Sequence, residues 1–119
     1  MTHATAATIV VCTDQSVTWE CLRRLAAPNG IRLERVSRLE DLSGREGLAV
    51  DAVVVDDRFL SIIDTMERSA RRYSPVFHNS VFMTAGEALN ALWNGPLGDA
   101  RGCSPVELAV WVEETRAVA

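Results

Sequence analysis

The stretch DAVVVDDRFL, residues 51–60, joins a run of β-branched residues to two adjacent carboxylates. A short, nearly continuous apolar run of this kind predicts a strand that is buried on both faces, as in a parallel sheet. We expect this strand to cover Ala49–Val55 and to end at Asp56. A carboxylate at a strand tip either begins a polar loop or belongs to a site. The rest of the chain decides between the two.

Three other segments have the character of strands. Thr8–Cys12 and Val81–Met83 are short and β-branched or apolar, which predicts buried strands. Ile31–Val36 alternates apolar and polar residues, which predicts a strand with one solvated side.

Helical periodicity separates these strands. The first predicted helix buries Val17, Cys21, Leu22 and Leu25, and it ends at the breaker Pro28-Asn29-Gly30. The other predicted helices are Ser37–Gly47, Leu60–Arg72 (with Leu60, Ile63, Met66, Glu67 and Ala70 at helical spacing), Ala85–Asn94 and Ser104–Ala117. In the last of these, Ser104 is the expected N-cap, Pro105 the first helical residue and Glu107 the partner in a capping box.

Alternating strands and helices predict a parallel sheet with helices on both faces. Right-handed crossovers bring the carboxyl ends of all the strands to one edge of the sheet, where ligands bind in open sheets of this kind. We therefore expect Asp14, Asp56, Asp57 and Thr84 to lie on one rim. We interpret residues 1–119 as a single domain in which residues 1–7 form a flexible tail.

Composition excludes several classes of protein. The net charge is −4 and no stripe of Arg is present, which argues against a nucleic-acid-binding surface. The apolar runs fall far short of the roughly 20 residues of a membrane span, and the first residues do not resemble a signal peptide. Three cysteines without a C-x-x-C pair indicate reduced thiols. A cytoplasmic location is expected.

With these elements in place, residues 8–117 resemble a response-regulator receiver domain. DAVVVD places Asp56 where receivers carry a phosphoacceptor at the tip of the third strand. MTA, ALWNG and SPVEL, at residues 83–85, 91–95 and 104–108, follow the family's pattern at the fourth strand, the fourth helix and the fifth helix. The resemblance implies a flavodoxin-like three-layer α/β/α sandwich with five parallel strands in the order 2-1-3-4-5.

The chain departs from the receiver pattern at three places. Cys12-Thr13, followed by Asp14, stands where receivers carry the acidic pair that binds Mg²⁺. All 12 basic residues are Arg, so the lysine that contacts the phosphoryl group is missing, and Arg101 is the nearest substitute. No aromatic residue occurs near Gly98, where the family has its switch residue.

These departures predict weak Mg²⁺ binding at most, because Mg²⁺ prefers several oxygen ligands that include carboxylates. Loss of the metal and of the lysine removes the charge that would stabilise a phosphoryl transfer. We interpret the chain as a degenerate receiver, with no enzymatic activity and no cofactor, that acts through protein–protein contacts. Two alternatives remain open: a working phosphoacceptor that uses Asp56, Asp14 and Thr84 with an unusual metal site, and a small α/β enzyme or ligand-binding protein that uses the rim.

Cys12 also ends a strand at a place where some phosphatases keep a nucleophile. Such sites need glycine-rich loops whose amides bind phosphate, and the loop at residues 13–18, TDQSVT, has no Gly. We therefore interpret Cys12 as a small apolar residue, and Cys21 as part of the core.

The predicted partner surface is formed by the helices at Ala85–Asn94 and Ser104–Ala117, together with the expected fifth strand. In receivers this face commonly binds dimer partners and effectors. Trp93, Trp111, Glu107 and Val110 are its candidate residues, since tryptophan is enriched at interface centres. One stripe of the last helix contains Val106, Ala109, Val110 and Glu113, and another contains Leu108, Trp111, Val112 and Thr115. One of them must be core and the other exposed or covered by a partner.

Overall fold

The computed structural model describes residues 8–42, 50–98 and 105–118. Its sheet has four parallel strands in the order β2-β1-β3-β4. The strands are β1 (Thr8–Cys12), β2 (Arg32–Val36), β3 (Ala52–Val55) and β4 (Val81–Thr84). The helices are α1 (Ser16–Ala26), α2 (Ile63–Tyr73), α3 (Ala85–Trp93) and α4 (Pro105–Val118). None of the helices in the described ranges is long and apolar enough to cross a membrane.

The sheet separates two apolar layers, because side chains alternate across the strands. On one side, Ile9, Val11, Val54 and Met83 pack with buried residues of α1, α3 and α4. On the other side, Val10, Val53, Val55 and Phe82 pack with α2 and with the short 3₁₀ segments Leu39–Leu42 and Pro75–Phe77. The predicted α/β class, with helices on both faces of a parallel sheet, is confirmed.

The prediction of five strands is not met in the part of the chain that the structure describes. After α3 the chain forms a 3₁₀ turn at Pro96–Gly98, and residues 99–104, which include Arg101, Cys103 and the expected N-cap Ser104, lie outside the described residues. Within residues 8–42, 50–98 and 105–118, the sheet therefore has the first four positions of the predicted order and no fifth.

Helix α4 lies along the outer edge of β4. Ala109 and Val112 of α4 line a groove together with Val81 and Phe82 of β4. The ring of Trp111 lies against Gly95, just beyond the end of α3, whereas Arg116 reaches Glu87 in the first turn of α3. Helices α3 and α4 are therefore antiparallel neighbours, and α4 takes a position beside β4 that a fifth strand would need.

Several local predictions were wrong about burial or bounds. In α1, Val17 is 75% exposed and Cys21 is exposed, whereas Leu22 and Ala26 are buried. The N-terminal part of Leu60–Arg72 forms a 3₁₀ segment, Asp57–Ile62, in which Leu60 is half exposed. Of the predicted helix Ser37–Gly47 only the 3₁₀ segment Leu39–Leu42 is described. Residues 43–49 and the expected tail 1–7 lie outside the described ranges.

Candidate functional site

The carboxyl ends of β1 and β3 bring Thr13 and Asp56 into direct contact. The hydroxyl of Thr13 donates to Oδ1 of Asp56 at 2.6 Å, and both residues are buried. The contact follows from the register of the sheet, which pairs Cys12 with Val55 one residue earlier on each strand. Thr13 also accepts a hydrogen bond from the backbone N–H of Gln15 at 3.1 Å. Its hydroxyl is therefore used both as donor and as acceptor.

Asp56 has a second oxygen that faces a cation. Oδ2 lies 3.8 Å from Nη2 of Arg58, and the side chain of Arg58 is 64% exposed. The guanidinium of Arg58 also lies over the ring of Phe59, 4.8 Å from the ring centroid. Thr13 thus binds the carboxylate of Asp56 through a short, buried hydrogen bond, whereas the exposed Arg58 lies beyond hydrogen-bond distance of it.

These residues open into a cleft of about 270 Å³ at the rim, which we call the Asp56 cleft. Its lining comes from the carboxyl ends of β1 and β3 and from the residues that follow β1, β2 and β3. Helix α2 contributes Met66. The lining residues are Cys12, Thr13, Asp14, Ser37, Arg38, Leu39, Glu40, Val55, Asp56, Arg58, Phe59 and Met66. Asp14 is exposed at the mouth of this cleft.

Cys12 borders the cleft as a protonated thiol. Burial raises its pKa above the usual value, and the nearby carboxylates of Asp56, Glu40, Asp41 and Asp14 raise it further. Its Sγ donates to the carbonyl of Ser37 at 3.7 Å. A nucleophilic cysteine needs the opposite surroundings, in which positive charge lowers the pKa of the thiol. The interpretation of Cys12 as non-catalytic agrees with this environment.

Asp57 and Thr84 lie on the rim but do not line the Asp56 cleft. Asp57 is exposed and accepts from the backbone N–H of Gly86 at 2.9 Å, so it ties the segment after β3 to the start of α3. Thr84 is the N-cap of α3, where its hydroxyl accepts from the backbone N–H of Glu87. The carboxylate of Glu87 in turn accepts from the backbone N–H of Thr84 at 2.9 Å.

Arg116 completes this second cluster of polar side chains. Its guanidinium donates twice to Glu87, through Nε at 2.7 Å and Nη2 at 2.9 Å. The pKa of Arg116 is raised above its usual value, first by this hydrogen bonding to Glu87. The predicted rim residues therefore fall into two groups. One lines the Asp56 cleft, and the other forms the N-terminal cap of α3, which Arg116 connects to α4. Arg101, the other predicted member, is outside the described residues.

Arg58, Phe59 and Glu87 were not among the residues predicted to lie at the rim. Glu87 had a clear signal, because Thr84 followed three residues later by Glu is the pattern of a capping box. Arg58 follows the carboxylate pair directly, but nothing in the sequence indicates that its side chain turns back toward Asp56. Across residues 8–42, 50–98 and 105–118, no group of three or more His, Cys, Asp or Glu side chains is arranged to hold a metal ion.

Comparison with models of known protein families, with curated proteins and with solved structures yields no match for this chain. The resemblance to receivers therefore rests on the residues at the strand ends and on the order of the elements.

The predicted partner residues have different environments. Trp93 is 72% exposed, and Val106 and Val110 are 72% and 48% exposed. Leu108 and Val112 are buried, and Trp111 is half buried against the same apolar layer. The stripe that contains Leu108 and Val112 is thus the core stripe of α4, and the stripe of Val106 and Val110 faces outward. Trp111 lies on the core stripe, next to Gly95, and not on the outward one.

Proposed function

We propose that this protein is a non-enzymatic, receiver-like regulatory module that acts through protein–protein contacts and without conventional Mg²⁺-dependent phosphorylation of Asp56. The hydrogen bond from Thr13 to Asp56 carries the proposal. In a receiver, the position of Thr13 would contribute a carboxylate to the metal site. Here it contributes a hydroxyl whose proton is already directed at the phosphoacceptor position.

The environment of Thr84 supports the same conclusion. The resemblance to receivers places Thr84 at the position of the Thr or Ser that ends their fourth strand. In this chain the hydroxyl caps α3 and also lies 3.2 Å from Oε1 of Glu87, which is itself bound by Arg116. A hydroxyl held by a helix cap is not free to move toward Asp56 without breaking that cap.

The strand order agrees with the proposal only for the first four strands. The receiver order 2-1-3-4-5 would place a fifth strand beside β4, where the described residues have α4. We propose that the chain is a divergent receiver-like domain that retains the rim between β1 and β3. Such a module would work in the cytoplasm, where Cys12 and Cys21, both free in this structure, remain reduced.

Two measurements test the proposal at the rim. The protein is incubated with acetyl phosphate and Mg²⁺, and its intact mass is recorded; we expect no added phosphoryl group. In calorimetric titration we expect no Mg²⁺ binding below millimolar concentration. The double variant Cys12→Asp, Thr13→Asp is the positive control, since two carboxylates next to Asp56 should raise the affinity for Mg²⁺. Phosphorylation of the wild type that is lost in Asp56→Asn would instead support the phosphoacceptor alternative.

For the contacts with partners, we propose the outward surface formed by Trp93, Val106 and Val110, either for a protein partner or for a second copy of the chain. Exposed apolar side chains of this size favour association. Sedimentation and pull-down experiments are carried out with Trp93→Ala and Val110→Asp, and we expect both variants to reduce association. Val17→Asp is the control, because Val17 is also an exposed valine, at 75% against 48% for Val110, but lies on α1. Equal association of all three variants would exclude this surface.

A further inference from the structure

The two outer edges of the sheet differ in how the described residues close them. At β4, Nη2 of Arg71 donates to the carbonyl of Ser80 at 3.0 Å. The N–H of Thr84 donates to Oε1 of Glu87 at 2.9 Å, and α4 lies alongside. At β2, no residue within 8–42, 50–98 or 105–118 pairs with the side that faces away from β1. An open strand edge of this kind pairs readily with another strand.

The backbone groups of Leu33 and Arg35 point to this open side. The carbonyl of Thr8 accepts from the N–H of Asp51 at 2.9 Å, next to β3, so the following residue, Ile9, directs its backbone groups toward β2. Ile9 lies opposite Leu33. In a parallel ladder a residue bonds with the two neighbours of the residue opposite it, and not with that residue. The N–H and C=O groups of Leu33 therefore point outward, and so do those of Arg35 two residues later.

The side chains of β2 place opposite charges near this edge. Arg32 and Glu34 are on one face of the sheet, with Nη2 of Arg32 3.8 Å from Oε1 of Glu34, and their side chains are 64% and 20% exposed. Leu33 is on the other face, partly buried against the apolar layer of α1, α3 and α4. The side chain of Arg35 turns toward β1, where Nε donates to the carbonyl of Thr13 at 3.3 Å, and not across the open edge.

This charge pattern complements itself in one register. Two copies of β2 can pair antiparallel about a two-fold axis perpendicular to the sheet, and residues opposite each other then project from the same face. With the axis at Leu33, Arg32 of each copy faces Glu34 of the other. An axis at Arg32, Glu34 or Arg35 would place that residue opposite its own charge, which is destabilising.

We propose that the chain forms a symmetric dimer in which β2 pairs antiparallel with β2 of a second copy and joins two four-stranded sheets into one of eight strands. Leu33 exchanges two backbone hydrogen bonds with Leu33 of the second copy. Arg32 and Glu34 of the two copies form the flanking ion pairs, at positions without backbone bonds, where side chains approach most closely. The dimer does not involve the outward surface of α3 and α4, which remains available to a partner of another kind.

Sedimentation at low ionic strength, from about 5 to 500 μM, tests the dimer in the range expected of a small interface. Arg32→Glu and Glu34→Arg each place like charges opposite each other twice, and we expect each variant alone to dimerise about tenfold more weakly or worse. An equimolar mixture of the two variants should dimerise as the wild type does, because two carboxylates then face two guanidiniums. Arg72→Glu changes the net charge equally at an exposed position of α2 and should leave dimerisation unchanged.

The double variant Arg32→Glu, Glu34→Arg exchanges the two charges and should also dimerise, which distinguishes this register from one that brings Glu34 against its own copy. A monomeric wild type overturns the proposal, and so does a mixture that associates no better than its components. A wild-type dimer that Arg32→Glu does not weaken overturns it as well and assigns the contact to another surface.

Hydrogen exchange of the wild type, followed by NMR, tests the same model without a substitution. The amides of Leu33 and Arg35 should become protected only as the protein concentration rises, whereas those of Arg32 and Glu34, which bond to β1, should be protected at every concentration. If either charge-reversal variant fails to fold, this measurement decides. Exchange of Leu33 and Arg35 that does not depend on concentration would then reject the β2 dimer.

Discussion

Thr13 and Asp56, which are 43 residues apart in sequence, form a buried hydrogen bond of 2.6 Å that links the ends of β1 and β3. Its acceptor is a carboxylate, so the bond belongs to the stronger, charge-assisted kind. Removing the donor leaves a buried carboxylate oxygen without its partner, which is more unfavourable than losing an exposed contact.

Thr13→Val should therefore lower the free energy of unfolding by about 1–3 kcal/mol at neutral pH, measured by chemical denaturation. Thr13→Ser keeps the donor and is the matched control. In the Asp56→Asn background, Thr13→Val should cost less, because the acceptor no longer carries a charge. Equal losses in both backgrounds would show that the hydrogen bond does not depend on the charge of Asp56.

Thr84 stabilises α3 through the capping box with Glu87. We expect Thr84→Ala to lower the free energy of unfolding by about 1 kcal/mol, as for other N-cap replacements, while Thr84→Ser changes it little. Denaturation curves of both variants check this. An unchanged stability of Thr84→Ala would show that the hydroxyl does not stabilise α3.

The sequence predicts the strands of this protein better than it predicts which faces of its helices are buried. Strands β3 and β4 were predictable because runs such as Val53–Val55 are buried throughout and carry a continuous apolar pattern. Strand β2 was predictable from its alternation of apolar and polar residues. The buried face of α1 was not, because Val17 and Cys21 fit the same helical spacing as Leu22. Which residues of a stripe face the core depends on the angle at which the helix meets the sheet, and a periodic pattern does not contain that angle.

The sequence also predicts only part of the candidate site, namely which residues lie at the same edge of the sheet. Topology alone brings Thr13 and Asp56 to one edge, because both follow parallel strands that are neighbours in the sheet. The separation of Thr84 and Asp57 from the Asp56 cleft depends on side-chain partners, namely Glu87 and Gly86. The position of α4 along β4 had no signal in the sequence, since its apolar residues cover most of the helix circumference and fit either arrangement.

Trp111 and Gly95 form a close contact between α4 and the end of α3. A Cβ at position 95 would lie 2.8 Å from the ring of Trp111 and 2.9 Å from Cα of Ala91. Gly95→Ala should therefore destabilise the fold, by about 1–3 kcal/mol, as overpacking does elsewhere. In the Trp111→Ala background the same substitution should cost less, although the contact with Ala91 remains. A thermal-melt cycle of the two variants measures this coupling.

Trp111→Ala by itself separates a core role from a partner role. Trp111 is half buried against the apolar layer, so its removal should lower the melting temperature of the isolated protein. Trp93→Ala is the control, because Trp93 is 72% exposed and its loss should leave the melting temperature nearly unchanged. A larger fall in melting temperature for Trp93→Ala than for Trp111→Ala would show that Trp93, and not Trp111, belongs to the core.

The two described free cysteines should differ in reactivity. Cys21 is exposed on α1, whereas Cys12 is half buried and has a raised pKa, caused first by burial and then by four nearby carboxylates. In a Cys103→Ser background, iodoacetamide at pH 7.5 (~50-fold excess) should modify Cys21 first, because Cys21 is exposed, whereas burial and a raised pKa keep Cys12 in the less reactive thiol form. Peptide mass spectrometry over time gives the order. Faster modification of Cys12 would contradict the electronegative character of the Asp56 cleft.

Glu67 on α2 gives the protein a pH dependence with a definite sign. Burial raises the pKa of its carboxyl, and the guanidinium of Arg71 offsets this only in part. A carboxyl whose pKa is higher in the folded than in the unfolded state stabilises the fold while it is protonated. That contribution is complete below the unfolded pKa and is lost as the pH rises through the folded pKa.

Glu67→Gln should therefore match the wild type most closely near pH 4 and gain stability relative to it as the pH rises to 7. Urea denaturation at several pH values measures the difference between the two proteins. Glu114→Gln is the control for removing a carboxylate from an exposed position of α4. If Glu67→Gln instead loses stability relative to the wild type between pH 4 and 7, the ion pair with Arg71 outweighs the burial of the carboxylate. The pKa of Glu67 would then be lowered, not raised, by the fold.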